Sequence, residues 1–167
     1  MTETRYFDAP WSTTLRVMTA LSCAVLGGEM VLGLALPKIT LLVRLLLILI
    51  PPLAIAVAAL FTVRGYEVNH GGLEVARLGW RSRIRLEGLQ TVVVDPEATA
   101  RSFRSCGNGG FFAFTGWYAN KRLGRYRLFA TDPKRAVVLA FASRKVVVTP
   151  DNPEAFARKL REWAGIE

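Results

Sequence analysis

The chain has 167 residues, enough for one ordinary domain and a modest appendage and too few for a multi-domain enzyme. Hydrophobic residues make up 51% of it and charged residues 21%, so the apolar positions must be segregated rather than dispersed. Two cysteines, Cys23 and Cys106, and one histidine, His70, can build neither a disulfide framework nor a zinc ligand set.

In chain order, residues 1–13 read as an N-terminal cytoplasmic segment and residues 14–63 as a transmembrane hairpin. Val17 to Leu36 is 20 residues with one charge, Glu29, and Leu41 to Val63 is 23 residues with one charge, Arg44. A bilayer core of roughly 30 Å takes about 20 apolar residues as a helix, and both stretches qualify. A cleaved leader fits the first poorly: its apolar run is too long, Glu3 and Asp8 precede it, and no small-residue cleavage site follows cleanly. Only Pro37-Lys38-Ile39-Thr40 separates the two stretches, so the helices are expected to run antiparallel with both chain ends on one side.

Reflected about that turn, Glu29 and Arg44 lie eight residues before and seven after Pro37, at about the same depth. An isolated charge in hydrocarbon costs on the order of 3 kcal/mol, so an intramembrane ion pair between them is expected. Separate snorkelling to the interface and contact with a partner's helices are the rival arrangements. Ala20, Ala24 and Gly28 form a small-residue stripe that serves either the hairpin, against Ala54 and Ala58, or a second copy. Pro51 and Pro52 predict a kink in the second helix. Arg5 and Arg16 before the hairpin, and Arg64, Arg77, Arg81, Arg83 and Arg85 after it, outweigh Lys38 in the loop. That bias predicts a multi-pass protein of the cell inner membrane with both termini cytoplasmic, and Tyr6, Trp11 and Tyr66 suit an aromatic belt on the same face.

Residues 64–167 read as a separate domain of short alternating strands. Tyr66 to Asn69 and Leu73 to Leu78 flank a turn at His70-Gly71-Gly72, where His70 reads as a turn residue rather than a ligand. Trp80 to Leu86 sets Arg81, Arg83 and Arg85 on one face and Ser82, Ile84 and Leu86 on the other. Further strands are expected at Leu89 to Val94, Arg125 to Ala130, Ala136 to Phe141 and Lys145 to Val148, with a glycine-rich loop at Cys106 to Gly110. A helix closes the chain: Asp151 or Asn152 caps it, Pro153 and Glu154 open it, and Phe156, Leu160 and Trp163 make one apolar stripe.

About seven antiparallel strands and one C-terminal helix make the plan of a pleckstrin-homology-like (PH-like) barrel or sandwich, following an α-helical membrane hairpin. The segments Arg104 to Gly110, Gly116-Trp117-Tyr118, Tyr126 to Thr131, Val137 to Leu139 and Val148 to Phe156 resemble the bacterial PH-domain membrane proteins. In that family two N-terminal membrane helices commonly precede the domain. The resemblance implies the fold and no catalytic residues.

Residues 64–167 hold 18 Lys and Arg against 10 Asp and Glu, +8 of the chain's +9. Beside an anionic leaflet each nearby cation contributes on the order of 1 kcal/mol. The expected function is therefore a non-catalytic binding or scaffolding module on the bilayer surface, without a cofactor, contacting anionic lipid headgroups or a protein partner. Arg81, Arg83 and Arg85, with Arg125 and Arg127, are the candidate lipid contacts, against the alternative of a merely solvated sheet face. A phosphoinositide site of the eukaryotic kind is not expected, because the first hairpin turn carries no Lys or Arg. The Cys106 to Gly110 loop lacks the Gly-Lys-Ser/Thr ending of a P-loop, and nucleophilic catalysis through Cys106 would need a nearby base, whereas the one histidine, His70, reads as part of a hairpin turn. Charge alone, without a nucleic-acid module, does not argue for nucleic acid. The alternative function is a self-assembling membrane complex, a homo-oligomer joined through the PH-like domain.

Overall fold

A computed structural model of the chain describes residues 4–69 and 72–166. The turn residues His70 and Gly71 lie outside the described residues. The elements in order are β1 (Arg5–Asp8), α1 (Thr13–Ala35), α2 (Leu41–Leu60), β2 (Val63–Asn69), β3 (Gly72–Arg77), β4 (Arg81–Ile84), β5 (Leu89–Val94), β6 (Phe103–Gly109), β7 (Phe114–Asn120), β8 (Gly124–Ala130), β9 (Val137–Phe141), β10 (Lys145–Val148) and α3 (Pro153–Ala164).

The strands form two sheets, ordered β1-β2-β3-β4 and β5-β9-β10-β8-β7-β6, packed as an open sandwich rather than a closed barrel. Among the described residues ten strands stand where about seven were expected, and β10 runs parallel to β8 in an otherwise antiparallel set. The glycine-rich stretch read as a loop is mostly β6, paired with β7 from Phe103↔Ala119 to Gly109↔Phe114.

The first strand changes the architecture most. Residues 5–8, read as part of a separate N-terminal segment, pair antiparallel with β2 from Arg5↔Val68 to Asp8↔Gly65. Phe7 is buried with its ring edge-on to Phe156 at 5.1 Å. The two apolar helices therefore lie inside the connection between two neighbouring strands, and both leave the sandwich from the same rim.

The main core lies between the sheets and beneath α3, around Phe7, Tyr66, Phe129, Phe156 and Leu160. α3 follows the expected stripe. Asn152 caps it by accepting from the Ala155 N–H at 3.0 Å, and Gly165 ends it in the left-handed conformation that favours glycine. Arg161 ties α3 to β5 by donating to the Val92 carbonyl at 2.8 Å. A smaller core on the opposite face of the second sheet gathers Tyr126, Leu128, Val138 and Val147 under Ala98.

α1 and α2 are long and apolar enough to cross a membrane, and their outer faces carry exposed Leu, Val and Ile side chains. α2 runs as one helix through Pro51 and Pro52, with Pro51 buried. Close approach of the two helices occurs at Gly33, where an added Cβ would stand 2.8 Å from the Leu47 Cβ. That contact centres the hairpin on Thr40 rather than Pro37, so Leu36 is level with Arg44 and Glu29 is level with Pro51. Arg44 accordingly donates to the Leu36 carbonyl at 3.0 Å, a free acceptor at the negative end of α1. Glu29 is exposed some 10 Å away along the helix, and among the described residues no ion pair joins it to Arg44. The stripe Ala20, Ala24 and Gly28 also faces outward.

Tyr66, expected in an interfacial belt, is wholly buried instead. Its hydroxyl donates to the Phe129 carbonyl at 2.7 Å, accepts from the Thr149 N–H at 3.1 Å and lies 3.3 Å from the Thr149 hydroxyl. One phenol thus links β2 to the end of β8 and the end of β10. Burial pushes its pKa up to about 12, whereas an unfolded tyrosine titrates near 10. The unfolded chain then loses this proton first, so the stability contributed below about pH 10 is lost as pH climbs toward about 12. Tyr66→Phe is expected to cost about 1–2 kcal/mol at neutral pH and to flatten part of the alkaline loss. Thermal melts of the full chain in uncharged micelles between about pH 8 and about pH 11 check both.

Candidate functional site

The site is assembled where the helices meet the sandwich. Ser12 caps α1 by accepting from the Leu15 N–H at 3.2 Å, while its own N–H and hydroxyl both donate to the Thr131 carbonyl beyond β8. Leu15 and Thr19, one helical turn apart, are buried against the domain. The Thr19 hydroxyl donates to the Gly110 carbonyl at 3.3 Å and accepts from the Phe112 N–H at 3.1 Å. Phe112 pays for that contact with a positive φ of 66°, unusual for a bulky residue, and its ring meets Trp11 edge-on at 6.0 Å. The β6–β7 turn is thus a collar around the base of α1.

α2 is held through Arg77. The alternation that turns Leu73 and Val75 inward also turns Arg77 toward the core, half-buried at the end of β3. It donates to the Phe61 carbonyl at 3.0 Å and the Ser82 hydroxyl at 3.1 Å. Its guanidinium also lies over Phe61, Trp80 and Phe129 at 5.7, 5.6 and 5.3 Å from the ring centroids. Burial, and after it the nearby Arg127 charge, lower its pKa. Sequence reading counted Arg77 only toward charge bias; its phase on the strand was the signal for its inward role. Phe61, Leu78 and Trp80 leave 41%, 53% and 39% of their surface exposed around it, an apolar rim at the foot of the helices.

The five predicted lipid contacts fall into two groups on different sheets. On the outer face of the first sheet Arg81 bridges Glu67 and Glu74, which sit directly opposite each other on β2 and β3. Hydrogen bonding to the two carboxylates raises the pKa of Arg81. Arg83 lies 3.4 Å from Glu74. The two arginines and two glutamates balance in charge, leaving Arg85, exposed beyond the end of β4, as the member of that row with no carboxylate pairing among the described residues. Arg125 stacks over Trp117 at 4.6 Å, and Arg127 stacks over Phe129 at 4.9 Å.

Two hollows flank the rim. The larger, about 680 Å³, runs along the outer face of the first sheet past Tyr6, Trp11, Arg64, Trp80 and Arg81, with Asp8 also present. The smaller, about 350 Å³, opens between the sheets and is lined by Phe61, Phe129, Arg77, Arg127 and the side-chain-free Gly107 and Gly116.

Residues 64–164 match the family model described as a bacterial PH domain, well over half of the chain. The chain belongs to the bacterial PH-domain family. No match was found among curated proteins or solved structures. The matched region of this bacterial PH domain starts at Arg64, so β1 completes the first sheet from outside it.

Arg77→Lys keeps the charge but loses the planar stack and the fork of donors. It is expected to weaken the joint between α2 and the bacterial PH domain by about 1 kcal/mol. Thermal unfolding in micelles measures that loss, with Arg85→Lys expected to change little.

Proposed function

We propose that α1 and α2 span the cell inner membrane with both termini in the cytoplasm, and that they hold the bacterial PH domain on the bilayer surface. There it acts as a non-catalytic binding or scaffolding module that contacts anionic headgroups. The observation that carries this reading is the insertion of the hairpin between paired strands. Two short connections, from β1 into α1 and from α2 into β2, keep one rim of the domain toward the lipid. That rim bears Phe61, Leu78 and Trp80, residues suited to the interface between headgroups and acyl chains, with Arg64 beside them.

The +8 balance of the domain adds attraction to an anionic leaflet that decays over about 10 Å at 0.1 M salt. Hydrogen exchange of the full chain in nanodiscs tests the contact. Replacing a zwitterionic bilayer by one containing an anionic phospholipid is expected to protect the Leu78-Gly79-Trp80 turn, and added salt is expected to reverse part of the gain. Equal exchange in both bilayers would overturn the headgroup contact.

A second reading, assembly with other copies, is favoured by Glu29. It stands exposed at the level of Pro51, in mid-hairpin, where a lone carboxylate facing lipid costs on the order of 3 kcal/mol. The outward Ala20, Ala24 and Gly28 lie on the same helix. A neighbouring hairpin would shelter the carboxyl from lipid. Glu29→Leu is then expected to abolish dimer-sized adducts when native membranes are crosslinked, and undiminished adducts would remove Glu29 from any such contact.

A further inference from the structure

The geometry points to the hollow between Arg77 and Arg127 as a binding site for a phosphate group. This inference rests on the proposed membrane reading only for the source of the phosphate.

Both guanidiniums lie against the same ring, Phe129, at 5.3 and 4.9 Å from its centroid. Two other cations of the first sheet do have acids: Arg81 has Glu67 and Glu74, and Arg83 has Glu74. Among the described residues, no carboxylate pairs with Arg77 or Arg127. Arg77 is half-buried and Arg127 exposed; the two like charges repel across the hollow, and an anion between them relieves that repulsion while accepting charge-assisted hydrogen bonds. Arg77 commits donors to Phe61 and Ser82, whereas among the described residues no hydrogen bond occupies the Arg127 guanidinium.

The remaining walls fit a phosphate that carries a small organic part. Gly107 and Gly116 face each other on β6 and β7 with φ of 122° and 130°, and a Cβ on either would collide with the backbone of the opposing strand. The floor is therefore bare backbone, which lets a ligand approach closely. Thr115 also borders the hollow. At about 350 Å³ it stands at the small end of ligand pockets, with room for a glycerol phosphate and not for acyl chains. Phe61, the residue that ends α2, forms one wall, so the mouth lies beside the foot of the hairpin. A phospholipid whose chains stay in the bilayer could present its phosphate there, and so could a soluble phosphate ester from the aqueous side.

The test uses the full chain in uncharged micelles, titrated with short-chain phosphatidylglycerol and, separately, with inorganic phosphate. Native mass spectrometry reads lipid binding, and thermal shift reads both ligands. Arg127→Gln is expected to weaken binding about ten-fold. Arg127→Lys should recover part of it, and Arg125→Gln, on the same strand but outside the hollow, should leave it within about two-fold. An Arg127-dependent response to the lipid supports the site with a membrane source; one to inorganic phosphate alone supports it with a soluble source. If Arg127→Gln and Arg125→Gln respond alike to both ligands, the site is overturned. The proposed headgroup contact of the rim fails separately, by equal hydrogen exchange in zwitterionic and anionic nanodiscs.

Discussion

The pairing of Arg5–Asp8 with Gly65–Val68 is the constraint on which the rest of the molecule depends. It joins strands separated in sequence by the whole helical hairpin, a separation that would carry a large closure entropy if the intervening chain were flexible. The chain between them is not flexible. α1 and α2 run as an antiparallel hairpin in close contact at Gly33, so the hairpin itself delivers the end of β1 to the start of β2. Helix packing and sheet pairing thus support one another. The Ser12 bonds to Thr131, the Thr19 contacts with the β6–β7 turn and the Arg77 clamp on Phe61 then fix the angle at which helices leave the sandwich.

Small residues decide the details of that joint. Gly33 sets the helix register, and through it the placement of both charges in the hairpin. A shift of the axis from Pro37 to Thr40 is enough to exchange a Glu29–Arg44 pair for an arginine bound to the end of α1 and a carboxylate left on the outer surface. Gly107 and Gly116 allow β6 and β7 to approach where side chains would forbid it, and so form the floor beside Arg127.

Much of the fold was legible from alternation and punctuation. The strands now numbered β2 to β5 and β8 to β10 announced themselves as apolar alternations between turn residues, and α3 through its cap and its Phe156, Leu160 and Trp163 stripe. The three missed strands carry weak local signals. β1 has four residues, too few for a periodic pattern, and depends on a distant partner. β6, with the sequence Phe-Arg-Ser-Cys-Gly-Asn-Gly, is exposed along most of its length and held by pairing with β7 rather than by burial. The candidate site was half visible for a similar reason. Alternation placed Arg81 and Arg83 on an outer face, but the acids that neutralise them, Glu67 and Glu74, come from neighbouring strands whose register no single-strand pattern contains. Tyr66 has the composition of an interfacial residue, and only the depth of β2 in the sandwich reveals its hydroxyl as a core link.

The placement of the helices also determines how the domain could be separated from them. A chain beginning at Arg64 would leave β2 as a bare sheet edge and open the space that Phe7 fills, inviting association with any strand that could pair there. Excising the hairpin and joining Ala9 to Thr62 through a tight turn would preserve that pairing, because the two ends already approach one another: the Ala9 N–H donates to the Arg64 carbonyl at 3.1 Å. Separating the domain from its helices is therefore a matter of replacing an insertion, not of trimming a terminus.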